Sequence, residues 1–501
     1  MKQLNLFFSV ILTALVLSAA SIFAQSESAG FPATPLGNLA EEWVEVINEG
    51  DDARLKTFIE NRFSSAALRQ QTPESLLTLF RNLQKQGGGI EVLQVTPNIG
   101  EQPMSIIIKS KKGNHYAGVI IGMNAREGKL AGIGVRKQEN PNADNWAQNL
   151  LTETEMINEI KRQVGKRAED GDFSGVVLVA KNDRILLNEA FGYADREAKS
   201  ANTPKTQFQM ASVGKMFTTA AIAALVKAGR ISFDDTVAKL LPDFPNQEIA
   251  RKITVHQLLT HSSGMGTFFE SPGFNPKTKY RNATEEIAVY KDEALFFEPG
   301  ARWRYSNAGF SLLGAIIERV SGKTYLEFIR ENVLKPLGMN DTDTNSFDVP
   351  AKNGAVLYQP TDEDPFGLEQ FRADRAILNS QATGFGGGFT TAGDLFKFAR
   401  GYRTGKLLGR ELTEKIVTPK LEARKNFKWG YGITETIVNG ETVRGHSGGG
   451  RADLAILWNS GYTVVVLVNV TPPAAGSLSE KIVNFISRQE QLRNQKTGRL
   501  N

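Results

Sequence analysis

Residues 208–221 read Phe208-Gln209-Met210-Ala211-Ser212-Val213-Gly214-Lys215-Met216-Phe217-Thr218-Thr219-Ala220-Ala221. A short strand-like run passes into a helical run at Ser212. A serine in the first turn of a helix sits among backbone N–H groups that have no partner within the helix. Lys215, three residues on, stands one turn above it on the same face. A serine hydroxyl is a poor nucleophile until a neighbouring base takes its proton. An ammonium in a dry cleft loses pKa to desolvation, and that lets it be the base. Serine and lysine are common, so Ser212-Val213-Gly214-Lys215 alone is also what chance would provide.

Two further elements stand downstream. Glu298-Pro299-Gly300 is a turn, and Tyr305-Ser306-Asn307 follows it at the start of another helical run, residues 310–320. Two residues apart in a loop, Tyr305 and Asn307 can point the same way. A phenol beside an ammonium can shuttle protons, and an amide offers both a donor and an acceptor. Tyr280-Arg281-Asn282 has the same lettering but lies in a polar loop with no Pro-Gly turn. The third element is His446-Ser447-Gly448-Gly449, directly before two apolar runs, 452–458 and 463–469. Glycines here let a substrate approach the backbone, and an N–H of this strand, with that of Ser212, can form an oxyanion hole. Arg403-Thr404-Gly405 and Lys496-Thr497-Gly498 imitate this motif, but neither has a strand behind it.

Together and in this order, the three elements resemble the penicillin-binding-protein and serine β-lactamase superfamily, over roughly residues 150–488. The likeness is greatest to class C β-lactamases, to DD-peptidases with a histidine in the third motif, and to D-aminopeptidases and esterases. Ile253-Thr254-Val255-His256-Gln257-Leu258-Leu259-Thr260-His261-Ser262-Ser263-Gly264 and Gly386-Gly387-Gly388-Phe389-Thr390-Thr391-Ala392-Gly393-Asp394 reinforce it. The resemblance implies an α/β (mixed) β-lactamase/transpeptidase-like fold, an antiparallel sheet covered by helices with a helical subdomain. It implies Ser212 as the acylated nucleophile, with Lys215 and Tyr305 sharing acid–base work in an undecided order. Asn307 would hold the substrate's acyl-side amide, and His446 and Ser447 would face its carboxylate or leaving group. Ser212 and Gly449 would supply oxyanion-hole N–H groups, with Gly448 leaving room. His446 stands where many relatives have lysine, which argues against strong β-lactam turnover. The expected substrate is a small amide or ester: a D-amino-acid peptide, an ester or a β-lactam. A binding or sensing module that acylates slowly on the same scaffold is the alternative.

The rest of the chain frames this domain. At 501 residues it exceeds one ordinary hydrophobic core. Residues 1–24 have the basic start and apolar run of an export signal, which predicts a periplasmic or secreted protein with no membrane span once it is removed. Residues 25–36 read as a flexible entry. Helical spacing followed by short β-rich runs at 90–95, 105–109, 115–123 and 130–135 predicts a small α+β domain over 37–136, resembling the NTF2-like fold. It is a candidate for binding a protein partner, for dimerisation or for covering the cleft. Residues 137–150 read as a linker, 151–488 as the hydrolase domain and 489–501 as a polar tail. Residues 267–291 and 340–379 are irregular and are expected to wall the cleft. The net charge of +5 is scattered, which excludes a clustered nucleic-acid footprint. There is no cysteine, so thiol catalysis and disulfides are excluded. The four histidines fall in no metal-binding pattern; no metal or other cofactor is expected. His115, His256 and His261 are read as structural.

Overall fold

The computed structural model describes residues 30–97, 103–124, 126–138, 145–275, 278–342, 350–361, 364–367, 371–379, 381–471 and 475–498. The export-signal reading of 1–24 lies outside them, as do 25–29 of the entry, 139–144 of the linker and 499–501 of the tail. The chain forms two compact units, Met1–Asn145 with Tyr358–Ala373, and Trp146–Leu357 with Asp374–Asn501.

In the first unit, helix α1 (Pro35–Glu49) starts where Thr34 accepts a hydrogen bond from Gly37 N–H and Pro35 takes the first turn. It stops at Gly50, whose φ of 68° suits glycine. Helices α2 (Asp52–Arg62), α3 (Ser65–Gln70) and α4 (Pro73–Gly87) follow. Then comes an antiparallel meander, β1 (Ile90–Thr96), β2 (Met104–Ser110), β3 (Tyr116–Asn124) and β4 (Lys129–Gln138), in that spatial order. Trp43, Ile47, Phe58 and Phe80 from the helices meet Ile106, Ile108, Val119 and Ile121 from the strands in one core. Phe366 joins that core and is only 1% exposed. A side-chain carbon on Gly87 would stand 2.9 Å from its ring, so the socket needs glycine there. Tyr358–Ala373, within the irregular stretch 340–379, thus belongs to the first unit, where Phe366 buries its ring.

The second unit opens with α5 (Glu153–Glu169), fixed by a reciprocal capping box between Thr152 and Glu155. Its eight-stranded sheet draws on both ends of the unit. Strands β5 (Gly175–Lys181) and β6 (Arg184–Phe191) come early. The two-residue strands β7 (Phe208–Gln209) and β8 (Phe389–Thr390) pair with each other apart from it. The remaining strands are β9 (Leu421–Arg424), β10 (Phe427–Trp429), β11 (Thr434–Val438), β12 (Glu441–Gly448), β13 (Ala452–Leu457) and β14 (Tyr462–Val468). The order is β9-β10-β11-β12-β13-β14-β5-β6, antiparallel throughout. The central strands β5, β13 and β14 are buried on both faces, because helices cover both. Val177 and Val179 turn to a core with α5 and the last helix, Ala475–Lys496; Val176 and Leu178 turn to a core with the helices around Ser212. Successive side chains alternate between faces, so the period of two feeds two cores.

The predicted polar tail is helical through Lys496. Gln489 is buried there: its side chain accepts from Leu151 N–H at 2.8 Å and donates to Asn149 O at 2.9 Å. The end of the predicted linker is likewise packed, with Trp146 stacked 4.7 Å from Phe485. Among the described residues, no helix is long and apolar enough to cross a membrane.

Candidate active site

Ser212 lies in a single 3₁₀ turn, Ala211–Val213, which leads into helix α6 (Gly214–Lys227). The turn is sharp: Ala211 has φ 44°, a left-handed conformation that costs an L-residue energy. The glycine run after residue 385 holds it. Gly387 N–H donates to Ala211 O at 3.1 Å, and Met210 N–H donates to Gly388 O at 3.0 Å. A side-chain carbon on Gly386, φ 137°, would lie 2.4 Å from Ala211 O. These glycines are needed because two backbones touch.

Lys215 is fully buried. Its Nζ is 3.1 Å from Ser212 Oγ, 2.7 Å from Asn307 Oδ1 and 2.5 Å from Phe385 O, and none of these is a carboxylate. Burial without a counter-charge pushes its pKa well below the ordinary lysine value. Asn307 begins helix α7 (Asn307–Ser321), whose N-cap Ser306 accepts from Gly309 N–H. The Nδ2 of Asn307 donates to Thr267 Oγ1 at 3.1 Å. The Tyr305 hydroxyl hydrogen-bonds Ser212, and burial raises its pKa, so it is a phenol at neutral pH. Its ring centre is 4.9 Å from Lys215 Nζ.

The third motif ends strand β12. Strand β11 pairs with β12 only as far as Thr434 opposite Gly445. Residues 446–448 keep β13 on one side, with His446 opposite Leu454, Ser447 opposite Asp453 and Gly448 opposite Ala452. Their other edge runs to Ser212. A side-chain carbon on Gly448 would lie 2.2 Å from Met210 O and 3.2 Å from Ser212 N. The His446 ring is 6.4 Å from that of Tyr305 and 5.5 Å from that of Trp429. Burial and the nearby Lys215 push its pKa down to about 3. Ser212, Lys215, Tyr305, Asn307, His446 and Gly448 thus converge, with Ser447 and Gly449 at the rim.

The family profile described as Beta-lactamase matches residues 160–484. The chain belongs to the β-lactamase family. PbpX of Bacillus subtilis (strain 168), a provisionally named penicillin-binding protein, is 26% identical over 368 residues, 68% of this chain and 86% of its own. The solved penicillin-binding protein of Bacillus halodurans is 28% identical, covers 64% of this chain and 99% of its own, and has a TM-score of 0.54. The same fold recurs in the D-amino acid amidase of Ochrobactrum anthropi SV3, at 21% identity, 68% of this chain, 99% of that one and TM-score 0.55.

Within the β-lactamase fold the imitating motifs stand elsewhere. Tyr280 packs its ring 5.3 Å from Phe268 and accepts from Asn275 N–H, while Asn282 caps the helix Ala283–Tyr290. Thr404 caps the helix Ala392–Arg403, and Thr497 bonds back to Arg493 O beyond the last helix. Sequence reasoning assigned no role to Phe385, whose carbonyl holds Lys215, because a backbone acceptor leaves no letter. It gave no individual role to Thr267, read only as the start of a cleft wall, or to Trp429, both of which touch motif residues far away in the chain, nor to Asp453, six positions from Ser447. His261 was read as structural. Its Nδ1 accepts from Ser306 N–H at 3.0 Å and its ring stacks 4.4 Å from that of Tyr305, so it positions the second motif.

Proposed function

We propose that this chain is a serine hydrolase that moves an acyl group from a small amide or ester first to Ser212 and then to water. The carrying observation is the 3.1 Å approach of a fully buried Lys215 Nζ to Ser212 Oγ. Burial favours the neutral amine. Its two N–H bonds then go to Asn307 Oδ1 and Phe385 O, which leaves the lone pair for the Ser212 proton. Lys215 is on this reading the first base. The serine oxygen attacks the carbonyl carbon, and the N–H groups of Ser212 and Gly449 receive the negative charge that develops on the carbonyl oxygen. Tyr305, a phenol hydrogen-bonded to Ser212, hands its proton to the departing amine or alkoxide and is refilled from the Lys215 ammonium. Water then cleaves the acyl-enzyme by the same groups in reverse. The second N–H of Asn307 Nδ2 is available to the acyl-side amide, and the open edge at 446–448 can pair with an extended substrate. Export to the periplasm or medium, on residues 1–24, belongs to the same proposal.

The test is p-nitrophenyl acetate turnover and fluorophosphonate labelling, followed by intact mass, in the parent and in Ser212→Ala. Adduct and turnover are expected in the parent alone. Retained turnover in a folded Ser212→Ala protein overturns the assignment.

A further inference from the structure

Glu286 is 3% exposed, on the helix Ala283–Tyr290 that packs against α7. Other buried acids of this unit have a cation or backbone N–H groups: Asp394 pairs with Lys397, Glu435 with Arg444, and Glu441 accepts from the N–H groups of Asn459 and Ser460. Among the described residues Glu286 has neither. Its Oε2 accepts from Ser311 Oγ of α7 at 2.5 Å, and Ser311 Oγ accepts from the Tyr290 hydroxyl at 3.0 Å. The charged groups that bear on it are both acids, Glu318 on α7 and Glu285 on its own helix. The other ionisable neighbours are Tyr290 and, from the helix Tyr325–Ile329, Tyr325; burial keeps both as phenols. An ionised carboxylate here has one hydroxyl donor and no counter-charge, so burial pushes the Glu286 pKa up to about 8. The cluster is tied to the active site at two points. Ahead of the helix, Arg281 O accepts from Gln381 Nε2 at 2.8 Å. Gln381 begins the stretch in which Phe385 O holds Lys215 and Gly387 N–H holds Ala211 O. At the helix end, the Tyr290 ring lies 6.3 Å from that of Phe268, which packs 5.1 Å from Phe385.

We propose that Glu286, Ser311 and Tyr290 form a latch closed by a proton: with the carboxyl neutral, the helix Ala283–Tyr290 is seated on α7 and backs the loop behind Lys215, and rising pH loosens that seat. The device does not depend on which bond the active site breaks. In the lifted helix Glu286 meets water and releases its proton near pH 4.3. In the seated helix it keeps the proton to about pH 8. Between these values the lifted state binds fewer protons, so lifting becomes about tenfold more favourable per pH unit and levels off above pH 8. Glu286→Gln keeps the shape and an acceptor for Ser311 but does not titrate.

Amide hydrogen exchange of the full chain, followed from pH 5 to 8 and corrected for the intrinsic rate, reads this directly. Protection of residues 283–290 in the parent, divided by that in Glu286→Gln, is expected to fall about tenfold per pH unit, with the amides of Gly386 and Gly387 following. The ratio cancels every titrating group except Glu286, Lys215 included. A ratio that stays constant overturns the latch. A ratio that falls for the helix and not for the two glycines overturns its link to the active site. Should Glu286→Gln fail to fold, the parent is compared with its own strands at 175–181 and 462–468. Helix protection that falls more steeply than theirs supports the latch, and a parallel course overturns it.

Discussion

Lys215 is a base only while it is neutral, and its surroundings, not its identity, keep it so. Its partners are an amide oxygen, a carbonyl and a hydroxyl, none able to compensate a buried charge. The unfolded chain holds a proton on this lysine up to about pH 10.4, while the folded chain releases it at lower pH. Between those two points the unfolded state binds more protons, so stability rises with pH, by about 1.4 kcal/mol per unit for the one group. Lys215→Met removes that slope. The parent is expected to gain stability on this variant from pH 7 to 9 in urea titrations, while the variant loses roughly 10³-fold in ester turnover. A parallel pH dependence in the two proteins would show that Lys215 is charged when folded. Tyrosine gives a second contrast. Tyr305→Phe is expected to lower kcat about a hundredfold, since it removes the proton donor beside Ser212. Tyr280→Phe, at a ring that packs on Phe268 and a hydroxyl that accepts from Asn275 N–H, is expected to leave kcat unchanged; the opposite order would mean that the wrong Tyr-x-Asn was placed at the site.

At the scale of elements, the site is a meeting of backbones. The 3₁₀ turn at Ser212, the glycines at 386–388 and the end of β12 approach too closely for side chains. Gly386→Ala is expected to cost roughly 1–3 kcal/mol, because its new carbon falls on Ala211 O in a conformation that alanine resists. It should lower turnover while fluorophosphonate labelling slows in proportion; normal labelling with normal stability would show that the turn can relax. This level was legible in part. The first unit's helices and strands and the apolar strand pair at 452–469 follow from hydrophobic period and turn residues, whereas the short half-exposed strands between Leu421 and Val438 carry no such period and go unread; Ser212, Tyr305 and His446 stand as letters before known kinds of element. What escaped was carried by atoms without letters or by pairs far apart in the chain. The Phe385 carbonyl is one such atom, and Asn307 bonded to Thr267, 40 positions earlier, is one such pair. The tail was misjudged for a related reason. Gln489 and Arg493 look like solvated polar residues until Leu151, more than 300 positions earlier, supplies their partner.

At the scale of the molecule, chain order and unit membership part company. The chain passes between its two units at 145–146, 357–358 and 373–374. The middle excursion puts Phe366 into the first unit's core, where loss of an aromatic side chain costs about 3–5 kcal/mol. Phe366→Ala is therefore expected to raise amide exchange over residues 35–138 while residues 175–181 and 462–468 keep their protection. The same fact bears on any shortened form. A chain begun at Trp146 retains Phe366 but lacks every other residue of the core that covers it, so an apolar ring that is 1% exposed in the whole chain becomes bare. Such a chain is expected to self-associate in light scattering, and Phe366→Ser within it to restore a single species with Ser212-dependent ester turnover. Equal association of the two would mean that the bared Phe366 ring does not drive the self-association.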